Sequence, residues 1–346
     1  MSGLRAGVDY PRSDAEFQAW FGTDADCLDY LEWLRWPKGF VCPRCSFAGG
    51  WPTADGRFKC TLCGARTSIT AGTLFDRRRT PLTVWFTAVW MFATQKDGVS
   101  ALSLARSLEI GSYQTAWAML HRLRCALVRP GRERLSGVVE MDETVMGGFE
   151  PDLTGGRSRG RKKSLVAVAV ERNEPRGLGR CRMAPIPDAS SATLRSFLVD
   201  NVVEGSTVIT DGWPAYQMAT KGIYTHEHHV VPGSHAPLML PGVHRVASLS
   251  KRWLLGTHQG AIEADHLGEY LNEFVFRFNR RHSRSRGLLF YRVLELAVAH
   301  EPVRYRDLVV NPAPKAKPPV PPEARGHPPS MDRPPAGRPW RGPELR

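Results

Sequence analysis

Three short segments carry carboxylates where a divalent cation can be shared. GVVEMDE ends an apolar run at Asp142, TVITDGW ends another at Asp211, and EYLNEFVFRFNRR carries Glu273 within helical periodicity. Asp142 is followed by Glu143, Thr144 and the pair Gly147-Gly148, and Asp211 by Gly212-Trp213, so both sit where a strand gives way to a turn. Carboxylate oxygens are the hard donors that magnesium prefers, and because magnesium keeps part of its water shell, two or three of them suffice. Two such ions about 4 Å apart activate an attacking oxygen and stabilise a leaving one at phosphorus. Asp142, Asp211 and Glu273 are therefore the predicted ligands of two magnesium ions for phosphodiester chemistry.

The third ligand comes from a helix predicted near residues 262–281. Leu267, Leu271, Phe274 and Phe278 form its apolar stripe, with Glu273 on one flank and Asn272 and Asp265 on the other. The helical wheel does not choose between the flanks. Charge favours Glu273, since a carboxylate holds a divalent cation better than an amide does. Arg277 and Arg280 follow Glu273 at i+4 and i+7, on its flank, and are suited to a DNA phosphate beside the ions.

A second metal set lies upstream. VCPRC supplies Cys42 and Cys45, and KCTLC supplies Cys60 and Cys63. Two C-x-x-C knuckles at this separation supply four thiolates for tetrahedral zinc, against the blander reading of four unligated buried cysteines. With all four positions filled, the zinc is structural. Ser46 and Gly64 suit the turn after each knuckle, and Trp51 and Phe58 are the expected packing residues of a two-strand hairpin between them. Cys27, Cys125 and Cys181 are scattered, and an odd count in this pattern points to a reducing compartment rather than a disulfide framework.

Residues 80–130 read as a helix-turn-helix. After an apolar helix at 83–95, Ser100 caps a short helix, Gly111 marks a turn and Ser112 caps a second helix. Its exposed first turn, Tyr113, Gln114 and Thr115, is suited to base edges, and Arg122 and Arg124 to phosphate. The competing reading is an ordinary helical hairpin. A formal charge of +13 favours a polyanionic partner, and Lys162 and Lys163 close a basic, glycine-rich loop at 155–163 that adds to the expected DNA contacts.

These groups need a frame. Residues 13–36 read as helical, opened by a Ser13–Glu16 capping box. From Val138 the pattern changes to strands: VVEMD, SLVAVAVE, RCRMAPI and TVITD, with a helix at 190–202 and further helices from about 245 to 300. This is an α/β fold with a mixed sheet. His226, His228 and His229 fall on a strand or loop, where solvent-facing histidines are favoured over a metal site. The N-terminus has no apolar leader and no run reaches membrane-spanning length, which predicts a soluble cytoplasmic, nucleoid-associated protein. The tail from about Asn311, rich in proline with Arg and Lys between, is expected to be disordered.

With these residues assembled, the chain resembles the zinc-ribbon insertion-sequence transposases of the ISXO2-like type. The matching segments are CPRC…CTLC, GVSALSLARSLEIGSYQTAWAMLHRLR, VVEMDETVMGG, TVITDGWPAY, and HRVASLSKRWLLGTHQGA continuing to HLGEYLNEFVFRFNRR. The resemblance implies a ribonuclease-H-like catalytic domain at 136–305, after an N-terminal helical segment (1–39), a zinc ribbon (40–75) and the helix-turn-helix-like region, with a tail at 311–346. It implies cleavage of double-stranded DNA at terminal inverted repeats, joining of the freed 3′-hydroxyl to target DNA, and a homo-oligomeric synaptic complex. By motif match Asp142 and Asp211 are the first two acidic residues, and Glu273 with Arg280 fits the third position and its basic residue seven further on. His244 matches a recurrent histidine suited to positioning water or phosphate. The other reading of the same DNA-binding motifs is a non-catalytic regulator or a decayed transposase; retention of all three acidic residues argues against decay.

Overall fold

The computed structural model describes residues 4–147, 163–173, 177–229, 240–260 and 262–309. Gly148, Lys162, most of the basic loop and the proline-rich tail lie outside the described residues. The chain divides into two compact units, residues 1–127 with 283–346, and residues 128–282.

In the first unit, the helical stretch expected at 13–36 consists of two helices, α1 (Asp14–Trp20) and α2 (Asp24–Arg35). Thr23 causes the break. Its hydroxyl accepts from the Asp26 N–H, and the Asp26 carboxylate accepts from the Thr23 N–H at 2.8 Å, so a fresh capping box opens α2. Ser13 does cap α1, but the Glu16 carboxylate turns to Arg12 instead of closing a box. Helices α3 (Leu82–Thr94), α4 (Ala101–Ser107) and α5 (Tyr113–Ala126) follow. The turn between α4 and α5 is made at Glu109, which takes φ 50°, and not at Gly111. Aromatic rings fill this core: Phe17 stacks on Trp90 at 4.7 Å, and Phe21 meets Phe86 at 4.9 Å. Phe290, from the helix Arg286–Ala299, lies 5.4 Å from Phe17. That helix belongs to this unit, so the second unit ends at His282 rather than near 305. A leucine-rich amphipathic helix reads the same whichever core receives it.

Residues 50–68 form a three-stranded antiparallel meander, β1 (Gly50–Pro52), β2 (Arg57–Cys60) and β3 (Arg66–Ser68). Phe58 stacks on Phe40 at 5.0 Å, with Trp36 against both. Trp51 is not a packing residue: it is 46% exposed, with Lys59 over its ring. Pro52 pairs with Phe58 and Trp51 with Lys59, so the strand's alternation sends Trp51 to the face opposite Phe58.

The second unit is built on a five-stranded sheet of β4 (Val138–Gly147), β5 (Lys163–Arg172), β6 (Leu178–Ile186), β7 (Thr207–Asp211) and β8 (Thr225–His229), in the order β6-β5-β4-β7-β8. β4, β5 and β6 are antiparallel; β7 runs parallel to β4, and β8 parallel to β7. Helices α6 (Ser191–Asn201) and α7 (Ala215–Thr220) cover one face, over Val139, Met141, Ala167, Ala169 and Val208. Helices α8 (Pro241–His258) and α9 (Leu267–Asn279) cover the other, over Met146, Val166, Val168, Val170 and Ile209. Burial on both faces explains why SLVAVAVE is apolar without alternation. This is the ribonuclease-H-like arrangement that the resemblance implies. Among the described residues, no helix is long and apolar enough to cross a membrane.

Candidate active site and zinc centre

The zinc centre is assembled by two knuckles built alike. The Ser46 N–H donates to the Cys42 carbonyl and the Cys42 N–H to that of Phe47; the Gly64 N–H donates to Cys60 and the Cys60 N–H to Ala65. Both turns pass through the left-handed region, Ser46 at φ 60° and Gly64 at φ 68°. The four sulfurs lie within 4.8 Å of one another, with Cys42–Cys63 at 3.6 Å and Cys45–Cys60 at 3.7 Å. A tetrahedral ion with zinc–sulfur bonds of about 2.3 Å requires sulfurs about 3.8 Å apart. The set fits structural zinc.

The acidic site rests on strand register. Val138 pairs with Thr207, Val139 with Val208 and Glu140 with Ile209. Two residues further along these parallel strands, Asp142 and Asp211 stand at the same level. They share the face of Ile209, which lies under α8 and α9. The Asp142 Oδ1 accepts from the Glu143 N–H at 2.7 Å, and the Asp211 Oδ1 from the Trp213 N–H at 3.0 Å. The Trp213 indole donates to the Ala189 carbonyl, which anchors the turn after Asp211.

Glu143 points to the opposite face, where the Tyr216 hydroxyl donates to its Oε1 at 2.6 Å. Burial, reinforced by the charges of Asp142 and Asp211, pushes its carboxyl up to about 7 despite that hydrogen bond. Glu143 is thus held up chiefly by its own burial, with the negative charge at the strand ends adding to the effect. Sequence reasoning passed over its role, although its place next to Asp142 was a visible signal.

Helix α8 lies along β4. Its Val243 N–H donates to the buried Glu140 carboxylate at 3.0 Å, and its Ser250 hydroxyl reaches Met146. The stretch between passes over Asp142. Lys251 lies on the flank turned to that carboxylate: burial lowers its ammonium pKa and the charge of Asp142 opposes the shift. His244, half-buried and two turns before Lys251, occupies the same flank.

Glu273 is not brought to the aspartates. It is fully buried on α9, and its carboxylate takes the Arg277 guanidinium at 2.8 and 2.9 Å. Helix α9 lies on β6, where the Asn279 side chain brackets the Cys181 backbone at 2.7 and 3.1 Å. β6 is two strands from β4, about 10 Å, and Asp142, Asp211 and Glu273 do not converge within 4.8 Å as the cysteines do. Arg277 is bound to Glu273, and Arg280 stacks on Phe276 at 4.0 Å.

Of the expected DNA contacts, Tyr113 and Gln114 are exposed at the start of α5, and Thr115 and Arg122 are half-buried. Arg124 is corrected: at 1% exposure it faces the core and cannot meet a phosphate. It lies one turn beyond Leu120 and next to Leu123, on the buried side. Lys163 opens β5 and is half-buried. The three histidines of β8 form no metal-ligand group among the described residues, and the His226 Nε2 lies 2.9 Å from the Thr210 hydroxyl.

The chain matches the ISXO2-like transposase domain over residues 134–279 and the transposase zinc-ribbon domain over residues 22–66, together more than half of its length. It is 28% identical over 275 residues to an uncharacterized protein in transposable element ISH50 of Halobacterium salinarum, covering 74% of this chain and 91% of that protein. Among solved structures, a chain of the simian T-cell lymphotropic virus intasome in complex with PP2A regulatory subunit B56 gamma is 16% identical with a TM-score of 0.28, over 63% of this chain and 79% of that one. A chain of a pre-cleavage Mos1 transpososome is 13% identical with a TM-score of 0.25, over 62% and 78%. TM-scores this low mark only a loose superposition.

Proposed function

Because the chain belongs to the ISXO2-like transposases, with a zinc ribbon followed by a DDE domain, we propose that it cuts double-stranded DNA at the terminal inverted repeats of an insertion sequence and joins the freed end to a target. Hydrolysis of one phosphodiester releases a 3′-hydroxyl. That hydroxyl then displaces a strand at a target phosphorus, exchanging one phosphodiester for another. The observation that supports this most is the parallel register that sets Asp142 beside Asp211.

Two adjacent carboxylates, Asp142 and Asp211, form a hard-oxygen pair that suits magnesium. Asp142 and Asp211 would hold the two ions, whose chemistry is activation of the attacking oxygen and stabilisation of the leaving one. In place of Glu273, His244 on α8 is the third group of the site. Lys251, on the same flank, steadies the phosphate. Glu273 with Arg277 and Arg280 holds α9 together. The exposed first turn of α5, with Tyr113 and Gln114, is the proposed base-reading surface, and a homo-oligomer on the nucleoid brings two ends together.

Asp142→Asn tests the reading. It should abolish magnesium-dependent cleavage of an end-labelled repeat yet leave repeat binding within about twofold, since removing one carboxylate charge favours DNA slightly. Cleavage retained by that variant would refute the assignment.

A further inference from the structure

Beyond Asp142 the far end of β4 opens into a cavity of about 200 Å³. Its floor is apolar, with Met146, Leu254 and Ile262, and Lys163 and Lys251 stand at its edge. Val145, the nearest wall residue on β4, is three residues past Asp142, about 10 Å along the strand. Leu255 also lines the cavity and is 64% exposed.

These features select a ligand. Inorganic phosphate has no use for a floor of methyl groups, and a purely apolar molecule has no use for two ammonium groups. A flat ring with apolar faces, attached to a phosphate, uses both. One flank of α8 carries His244, Lys251 and Leu255 in succession. A strand laid along that flank meets the aspartates first and the cavity next. The exposed leucine then becomes a lid that a bound ring takes out of water.

We propose that this cavity receives one unpaired nucleobase of the DNA strand whose phosphate lies at Asp142 and Asp211, with Lys163 and Lys251 on the phosphates beside it. The inference rests on the transposase reading and adds a step to it: the end of the element is held with one base out of the stack. Unstacking a base is unfavourable, and contact of its face with the apolar floor offsets that cost. Anchoring one base next to the cut fixes the phosphate in line.

The test places 2-aminopurine, whose fluorescence rises on unstacking, at each nucleotide flanking the cut in a terminal-repeat duplex. Binding is followed separately by anisotropy with calcium replacing magnesium. The wild-type protein should brighten one position several-fold and leave its neighbours dim. Leu255→Ser, at an exposed site that leaves the core intact, should remove most of that signal and weaken binding about fivefold, near the lower end of what base stacking contributes. Lys163→Ala should lower the salt slope of binding by about one. Bound duplex with no bright position would overturn the cavity while leaving the transposase reading standing. So would a bright position that Leu255→Ser leaves unchanged, or a Lys163→Ala defect without any brightening, which would mark a phosphate site alone. Absence of any repeat binding by the wild-type protein would overturn both.

Discussion

Replacing Glu143 by glutamine should make the catalytic unit more stable at neutral pH, an unusual outcome for a half-buried polar residue. Its carboxyl moves from the ordinary 4.5 to about 7 on folding, first because burial disfavours the charge and then because Asp142 and Asp211 repel it. A carboxyl whose pKa rises on folding holds its proton longer in the native state. Its contribution is therefore fully present below about 4.5 and is lost as pH climbs through about 7. At about 1.4 kcal/mol per pH unit, and allowing for partial exposure, the charged side chain costs the native state about 2–3 kcal/mol at pH 8. Glutamine removes the charge and keeps an oxygen for the Tyr216 hydroxyl.

The assay is urea unfolding of wild type and Glu143→Gln in magnesium-free buffer with the ribbon's zinc retained. Stabilities are compared at about pH 4.5 and about pH 8. Between those limits the wild type should lose about 2–3 kcal/mol more than the variant. His226, whose pKa is lowered by burial and by His228, titrates in both proteins and cancels in the difference. Equal pH slopes, or a variant less stable than wild type at the upper limit, would refute the claim that folding raises the Glu143 carboxyl.

Cys60→Ser should leave three thiolates, release zinc and unfold β1–β3, read as lost bound zinc and lost amide protection there, with protection of β4–β8 unchanged. Gly287→Ala should destabilise the first unit by about 3 kcal/mol or more in thermal unfolding, because a Cβ there would stand 1.7 Å from the Pro11 carbonyl oxygen, a backbone atom that cannot turn aside. Arg277→Met should cost about 3–5 kcal/mol by leaving the fully buried Glu273 without its guanidinium. Manganese binding at the aspartates, read by electron paramagnetic resonance, should survive Glu273→Gln; loss of the ion in that variant would restore Glu273 as a ligand.

The parts of this protein legible from sequence are those whose signal is local. Two C-x-x-C units fix a metal centre because spacing alone brings two thiolates together, and the knuckle turns need only Ser46 and Gly64 in left-handed backbone. VVEMD and TVITD announce strands, and the charge at the end of each apolar run is unmistakable. That the two strands are neighbours is not local. It comes from a crossover through β5, β6 and α6, for which the resemblance to a family stood in. Trp51 and Arg124 went astray for one reason: on a three-residue strand and on a helix with apolar residues on several sides, the pattern does not say which face is inside.

Glu273 is the instructive case. Sequence reasoning preferred it because a carboxylate is a better magnesium ligand than the amide of Asn272, which is sound chemistry applied to a group already engaged. The warning lay four residues on. A Glu followed by Arg at i+4 is the favourable orientation for an intrahelical ion pair, and a carboxylate so paired must surrender its guanidinium before it can take a metal. Among the described residues that pair is also walled in, with Glu273 fully buried. A ligand for a catalytic ion has to face the space that substrate enters. The flank of α8 meets that condition: it carries Lys251 where the charge of Asp142 is felt, and its exposed Leu255 still faces solvent.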